Sequence, residues 1–161
     1  MTSQSLAAKL QRNLHLKSYL AELSALTSRP VEAHELGSPD DAVKYRAEAS
    51  RSTLLEGARV EMPIAALGDE RFTNFIGRLQ EANRSSVYIW SEHSIYCGLL
   101  LVSSISSIKF DCGVGTNTGE LIAFRTKDLM NRLLLDVSES QVGDKYVQIE
   151  ADGVHWGRVL Y

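Results

Sequence analysis

The stretch VYIWSEHSIYCGLLLVSSISSIKFDC, residues 87–112, decides how the fold is read. Val, Ile, Tyr and Trp crowd into short runs, and Ser, Gly and Asp separate them, which is the composition of strands and turns. It predicts strands over residues 87–90, 95–102 and 107–112. If the turn between the last two is centred between Ser104 and Ile105, Cys97 faces Cys112, Leu99 faces Phe110, and Leu101 faces Ile108. All six side chains then share one face, and a one-residue slip would turn that face outward. The register brings two thiols together, either as two buried reduced cysteines or as a redox-sensitive pair.

Towards the C-terminus the same composition continues. Residues 120–126 read as a further strand. Thr126-Lys127-Asp128 either opens a short helix through Leu133 or turns the chain, and residues 133–138 fit a helix end or a strand. A final hairpin is predicted from residues 145–150 and 154–160, joined by Asp152-Gly153, a dipeptide suited to a tight turn with positive φ. That register sets Ile149 opposite Trp156, on the core side, and Glu150 opposite His155 on the other.

Towards the N-terminus the period changes. Leu6, Leu10, Leu14, Leu20 and Leu23, with Ala7 and Leu16, recur near helical spacing, with Ser3 or Ser5 as cap and Pro30 beyond the end. The leucine stripe is either core packing or an exposed face that docks a partner helix. Ser38-Pro39-Asp40-Asp41 opens a second helix, running to about Leu55, with an N-cap serine, a first-position proline and two acids at the positive end of the dipole. Gly57 is a left-handed stop for it. A third helix follows Gly68, capped by Asp69, with Phe72, Phe75, Ile76 and Leu79 on one face and a stop at Asn83. Helices first and antiparallel strands afterwards define an α+β fold. Residues 1–161 are expected to form a single domain. Residues 1–83 supply helices packed on one face of a mainly antiparallel sheet made by residues 84–161.

The chain of 161 residues is 44% apolar and 23% charged, ordinary for a globular protein that buries a core without metal or disulfide staples. The N-terminal segment is interrupted by Lys9, Arg12 and Lys17, unlike a secretory signal. Two cysteines without a C-x-x-C pair suit a reducing compartment, so a cytoplasmic location is expected. Net charge is −3. Residues 1–80 hold ten acids and ten bases, residues 81–161 ten acids and seven bases. The excess gathers between positions 136 and 152, where Asp136, Glu139, Asp144, Glu150 and Asp152 meet only Lys145. That patch is an ordinary solvated face or a surface for a basic partner. The segment around Lys44, Arg46, Arg51 and Arg59 is locally basic but contains Glu48 and Glu56, and the whole-chain balance lacks a nucleic-acid footprint.

Catalytic signatures are sparse. His15, His34, His93 and His155 have no zinc-site spacing, and no G-x-S-x-G elbow occurs. The loop from Gly113 to Gly119 lacks the Lys and the following helix of a phosphate cradle. Glu92-His93, flanked by Ser91 and Ser94, and the Glu150–His155 pair are the most enzyme-like groups. Each also reads as an ordinary turn or cross-strand pair. No cofactor, metal or membrane partner is expected.

From Val87-Tyr88-Ile89-Trp90 through Tyr161, with its acidic segment 136–152, the chain resembles bacterial toxin-immunity proteins of contact-dependent growth inhibition systems. The resemblance implies a non-enzymatic inhibitor that binds a cognate toxin, often a basic nuclease, and blocks its active site. On that reading Glu139, Asp144, Glu150, Asp152 and His155 steer the partner and Trp90 anchors it. The competing expectations are a subunit that assembles through its N-terminal helix, and a small enzyme using Glu92/His93 and Glu150/His155.

Overall fold

Ser5 starts the first helix. Its hydroxyl accepts a hydrogen bond from the Ala8 N–H at 3.2 Å, and α1 (Leu6–Thr27) runs until Ser28 enters the left-handed region at φ 51°. The computed structural model describes residues 5–52, 54–114 and 121–161. At α2 (Pro39–Arg51) the Ser38 hydroxyl accepts from the Asp41 N–H at 3.1 Å, with Pro39 first and both acids in the opening turn. This is the start its sequence predicts. α3 (Glu70–Ala82) buries Phe72, Phe75, Ile76 and Leu79 on one face and ends at Asn83.

The second helix stops four residues short of Leu55, and Gly57 does not cap it. Residues Glu56–Pro63 instead form β1, with Ala58 and Met62 turned inward and Arg59 and Glu61 outward. Five further strands follow: β2 (Val87–Trp90), β3 (Leu100–Val102), β4 (Leu121–Thr126), β5 (Asn131–Glu139) and β6 (Lys145–Gly153). They form one sheet in the order β1-β6-β5-β4-β2-β3, and every pairing is antiparallel. The α+β architecture therefore holds, with N-terminal helices and a six-stranded antiparallel sheet. Five strands come from the second half and one from the first.

Successive strand side chains point to opposite faces. The inner face carries Val87, Ile89, Ile122, Phe124, Leu133, Leu135, Val147 and Ile149, all at most 1% exposed. It packs with Tyr19, Leu23 and Leu26 of α1 and with the buried face of α3. Phe110 links the layers, with ring centroids 5.1 Å from Phe72 and 5.2 Å from Phe124. α2 lies on the opposite, outer face, where Ala42, Tyr45 and Ala49 pack with Tyr88, Trp90, Leu99 and Leu129. Gly98 holds that helix's start close: it has φ 97°, a Cβ there would overlap the Gly37 carbonyl, and the Gly37 N–H donates to the Leu99 carbonyl at 2.9 Å.

Two expected hairpins are replaced. Residues 94–97 form a short helix, α4 (Ser94–Cys97), and Phe110–Gly113 another, α5, with a 3₁₀ turn at Ile105–Ser107 between them. The Cys97–Cys112, Leu99–Phe110 and Leu101–Ile108 pairs therefore do not form; Leu101 pairs with Tyr88. Cys97 is a buried, free cysteine whose thiol burial pushes above its ordinary pKa. The Cys112 thiol, and the glycine-rich loop beyond Val114, lie outside the described residues. At the C-terminus, β6 continues through Gly153 because β1 and β5 occupy both of its edges. No edge is left for residues 154–160, which instead pass through a turn at Trp156–Arg158. Trp156 is fully buried as expected, but its indole N–H donates to the Leu79 carbonyl at 3.0 Å, and it does not face Ile149. Residues 126–131 turn the chain, and residues 133–138 are strand.

Candidate functional site

The outer face of the sheet carries three of the candidate residues, Trp90, Glu150 and Asp152, within three cross-strand rows. One row runs Tyr88, Arg125, Arg132, Asp152. The next runs Trp90, Ala123, Leu134, Glu150, Arg59, and the third Leu121, Asp136, Gln148, Glu61. α2 covers the Tyr88–Trp90 end, where the Tyr45 ring stacks on Trp90 at 5.5 Å and meets Tyr88 edge-on at 5.6 Å. Trp90 is thus half-buried in a wall beside the open part of the face.

The first two rows neutralise themselves. Arg132 donates from Nε to Asp152 Oδ2 at 2.8 Å and again from Nη2, and it lies 3.6 Å from Glu150 Oε2. Glu150 also receives Arg59 Nη2 at 2.8 Å and Gln148 Nε2 at 3.1 Å. The Asp152 side chain is only 4% exposed, so it is an internal counter-ion. Arg125 stands opposite Arg132, almost fully buried, and donates to the Leu129 carbonyl at 3.4 Å. Burial, with Arg132 beside it, lowers its pKa. Two like charges opposite one another destabilise a strand pair, and the Asp152 carboxylate offsets that here. The buried Tyr45 hydroxyl has no hydrogen-bond partner among the described residues. Burial raises its pKa far above the usual phenol value.

The third row is different. Asp136 and Glu61 are exposed, share the row with no base, and make no ion pair among the described residues. The β5–β6 turn next to them adds Asp144 and Glu139, both exposed. Glu139 stands opposite Lys145 in the register. The turn is fixed by the Ser140 N–H donating to the Asp144 carbonyl at 2.8 Å and by Gly143 at φ 88°. Leu121 is 44% exposed beside Asp136, and Leu134 is half-buried one row in.

The remaining candidates lie elsewhere. His155 is not beside Glu150: its N–H donates to Asn131 Oδ1 at 2.9 Å and its ring contacts Asn83 at 3.3 Å. The Glu150–His155 acid–base pair is therefore absent. Glu92 and His93 sit between β2 and α4, with His93 Nε2 3.5 Å from Glu92 Oε1. α1 brings His15 onto His93, with stacked rings 4.6 Å apart, and adds the buried Glu22. Burial and the nearby Glu92 push the Glu22 carboxyl up to about 7, while burial lowers His93. Ser94 is already committed. Its Oγ accepts from the Ser91 N–H at 2.9 Å and lies 3.0 Å from the Tyr19 hydroxyl, which donates to the Gly98 carbonyl at 2.8 Å. With one proton per hydroxyl, Ser94 donates to Tyr19. No group of three His, Cys, Asp or Glu among the described residues is placed to hold a metal. No helix among them is long and apolar enough to cross a membrane.

The sequence reading named Glu150, Asp152 and Trp90 on this face, with Glu139 and Asp144 at its β5–β6 end, and missed Arg59, Glu61, Arg125, Arg132 and Tyr45. The strand alternation in residues 121–126 and 131–139 could have found the arginines at 125 and 132, since both fall on its outward side. No family model, curated protein or solved structure matches the chain.

Proposed function

We propose that this chain is an immunity-type inhibitor that binds a basic toxin domain, a nuclease by chemistry, through the outer face of its sheet and blocks the toxin's active site. The reading is carried by the contrast between rows. Glu150 and Asp152 are neutralised by Arg59 and Arg132, while Glu61, Asp136 and Asp144 remain exposed on or next to the row that holds Leu121. Uncompensated acids steer a basic partner and raise its association rate. Apolar side chains among them supply the desolvated contacts. Trp90 stiffens the edge of the surface through its stack on Tyr45.

The test is stopped-flow association with the toxin domain recovered on the immobilised chain from its own host. Asp136→Lys/Asp144→Lys should slow association about tenfold or more at low salt and leave dissociation nearly unchanged. Unchanged association at low salt would remove this face from the interface. Recovery of an acidic partner would remove the nuclease-inhibitor reading itself.

A further inference from the structure

The two sides of α1 are unlike. One side holds Tyr19, Glu22, Leu23 and Leu26 against the core. On the other, Leu6, Leu10 and Leu14 are 75%, 58% and 71% exposed. Four-residue spacing puts them in one ridge about 12 Å long on the helix's outer side. Other strongly exposed apolar residues, Leu55, Val142 and Leu160, stand on separate loops and make no row. All charge between Ser5 and Leu20 is positive: Lys9, Arg12 and Lys17, with Glu22 the first acid. Arg12 lies near Cys97 on the body side. Lys9 and Lys17 are exposed and have no ion-pair partner among the described residues.

These facts restrict what covers the ridge. A second copy of the same helix would bring like charges together, and three leucines fall far short of the roughly 800 Å² per partner of a stable interface. From His15 onward the inner side of α1 is occupied by His93 and the core, so a groove could enclose only the turns before it. A flat, anionic surface with an apolar layer beneath matches both the single leucine row and the uniformly positive charge around it. We infer that the N-terminal half of α1 is a peripheral membrane-contact ridge. Leu6, Leu10 and Leu14 enter the headgroup–acyl boundary of an anionic bilayer, and Lys9 and Lys17 lie among its acidic headgroups. The contact lies on the membrane and does not cross it. Because α1 covers the inner face of the sheet, its ridge points away from the outer face, so a chain resting on a bilayer turns Asp136 and Asp144 outward.

Sedimentation of the full chain with lipid vesicles tests this. Vesicles of phosphatidylcholine with phosphatidylserine should carry the protein down, vesicles of phosphatidylcholine alone should not, and added salt should release it. Lys9→Gln and Lys17→Gln should each weaken binding about fivefold. Leu6→Gln/Leu10→Gln/Leu14→Gln should abolish it with no loss of Tm, since those side chains support no core. Failure of the native chain to bind the anionic vesicles overturns the inference. So does undiminished binding by the leucine variant, which would reduce the contact to charge alone. A leucine-dependent dimer in light scattering would assign the ridge to a second copy instead.

Discussion

At the scale of single residues, the molecule places Glu22 and His93 in opposition. Glu22 is buried and its carboxyl is pushed up to about 7, from an unfolded value near 4.5. Its folded form favours the proton, so this contribution to stability is full below pH 4.5 and is lost as pH rises through 7. His93 is held below its ordinary value by burial, so its contribution is lost as pH falls below 6.5. Glu22→Gln should therefore raise stability at pH 8 by on the order of 1–2 kcal/mol and change little at pH 4, measured by urea denaturation at both pH values. A variant equally stabilised at both pH values would mean that Glu22 is not held protonated. Asp152 gives a second residue-scale prediction. Asp152→Ala leaves Arg132 beside the buried Arg125 and should cost about 3 kcal/mol. Arg132→Leu/Asp152→Leu should recover most of that loss in the same measurement. Neither arrangement was legible in the sequence. Glu22 is one charged residue in a leucine-rich helix, and nothing local says that Glu92, seventy positions on, will lie beside it.

At the scale of elements, local chemistry was read well where it is local. Ser38-Pro39-Asp40-Asp41 fixes the start of α2 through bonds within four residues, and the Phe72–Leu79 face fixes α3. The errors fall where four or five residues had to decide between periods. Residues 94–97 are rich in strand formers, yet they turn as a helix because Tyr19 of α1 fastens Ser94 and Gly98 from outside the segment. β1 was missed because Gly57 reads as a helix stop. The Ala58, Val60, Met62 alternation is short, and a register shift between Glu56 and Arg59 interrupts it. In α3, a Cβ on Gly77 would meet nothing within 4 Å. Gly77→Ala should therefore stabilise the protein by about 0.5–1 kcal/mol, read as an increased urea midpoint with unchanged slope. A loss of stability would show that the helix needs the glycine for a contact elsewhere.

At the scale of the whole molecule, the class of fold followed from the change of period at residue 87, but the strand order did not. Sequence neighbours suggested that the last strand folds back on residues 145–150. In the structure that strand is flanked by β5 and by β1, which is more than eighty residues earlier. The residues beyond it close the far end of the core. The Trp156 indole reaches the Leu79 carbonyl, Asn131 Oδ1 accepts from the N–H groups of His155 and Trp156, and the Tyr161 ring lies 5.3 Å from Phe75. Trp156→Ala should cost about 3–5 kcal/mol, and removal of residues 154–161 should leave no cooperative thermal transition. A truncated chain that still melts sharply would show that the sheet and helices suffice alone.

The pairing of β1 with β6 also governs how the protein comes into being. A ribosome releases the N-terminal helices and β1 long before the strand that β1 needs has been translated, and Trp156 follows later still. The nascent chain therefore holds apolar helix faces and an unpaired strand edge through most of the synthesis of these residues, and its slowest ordering waits until Trp156 has left the exit tunnel. Without β6, β1 has no partner strand and β5 keeps only one. A message that stalls before β6 leaves the edges of β1 and β5 unpaired, a template for pairing with another chain.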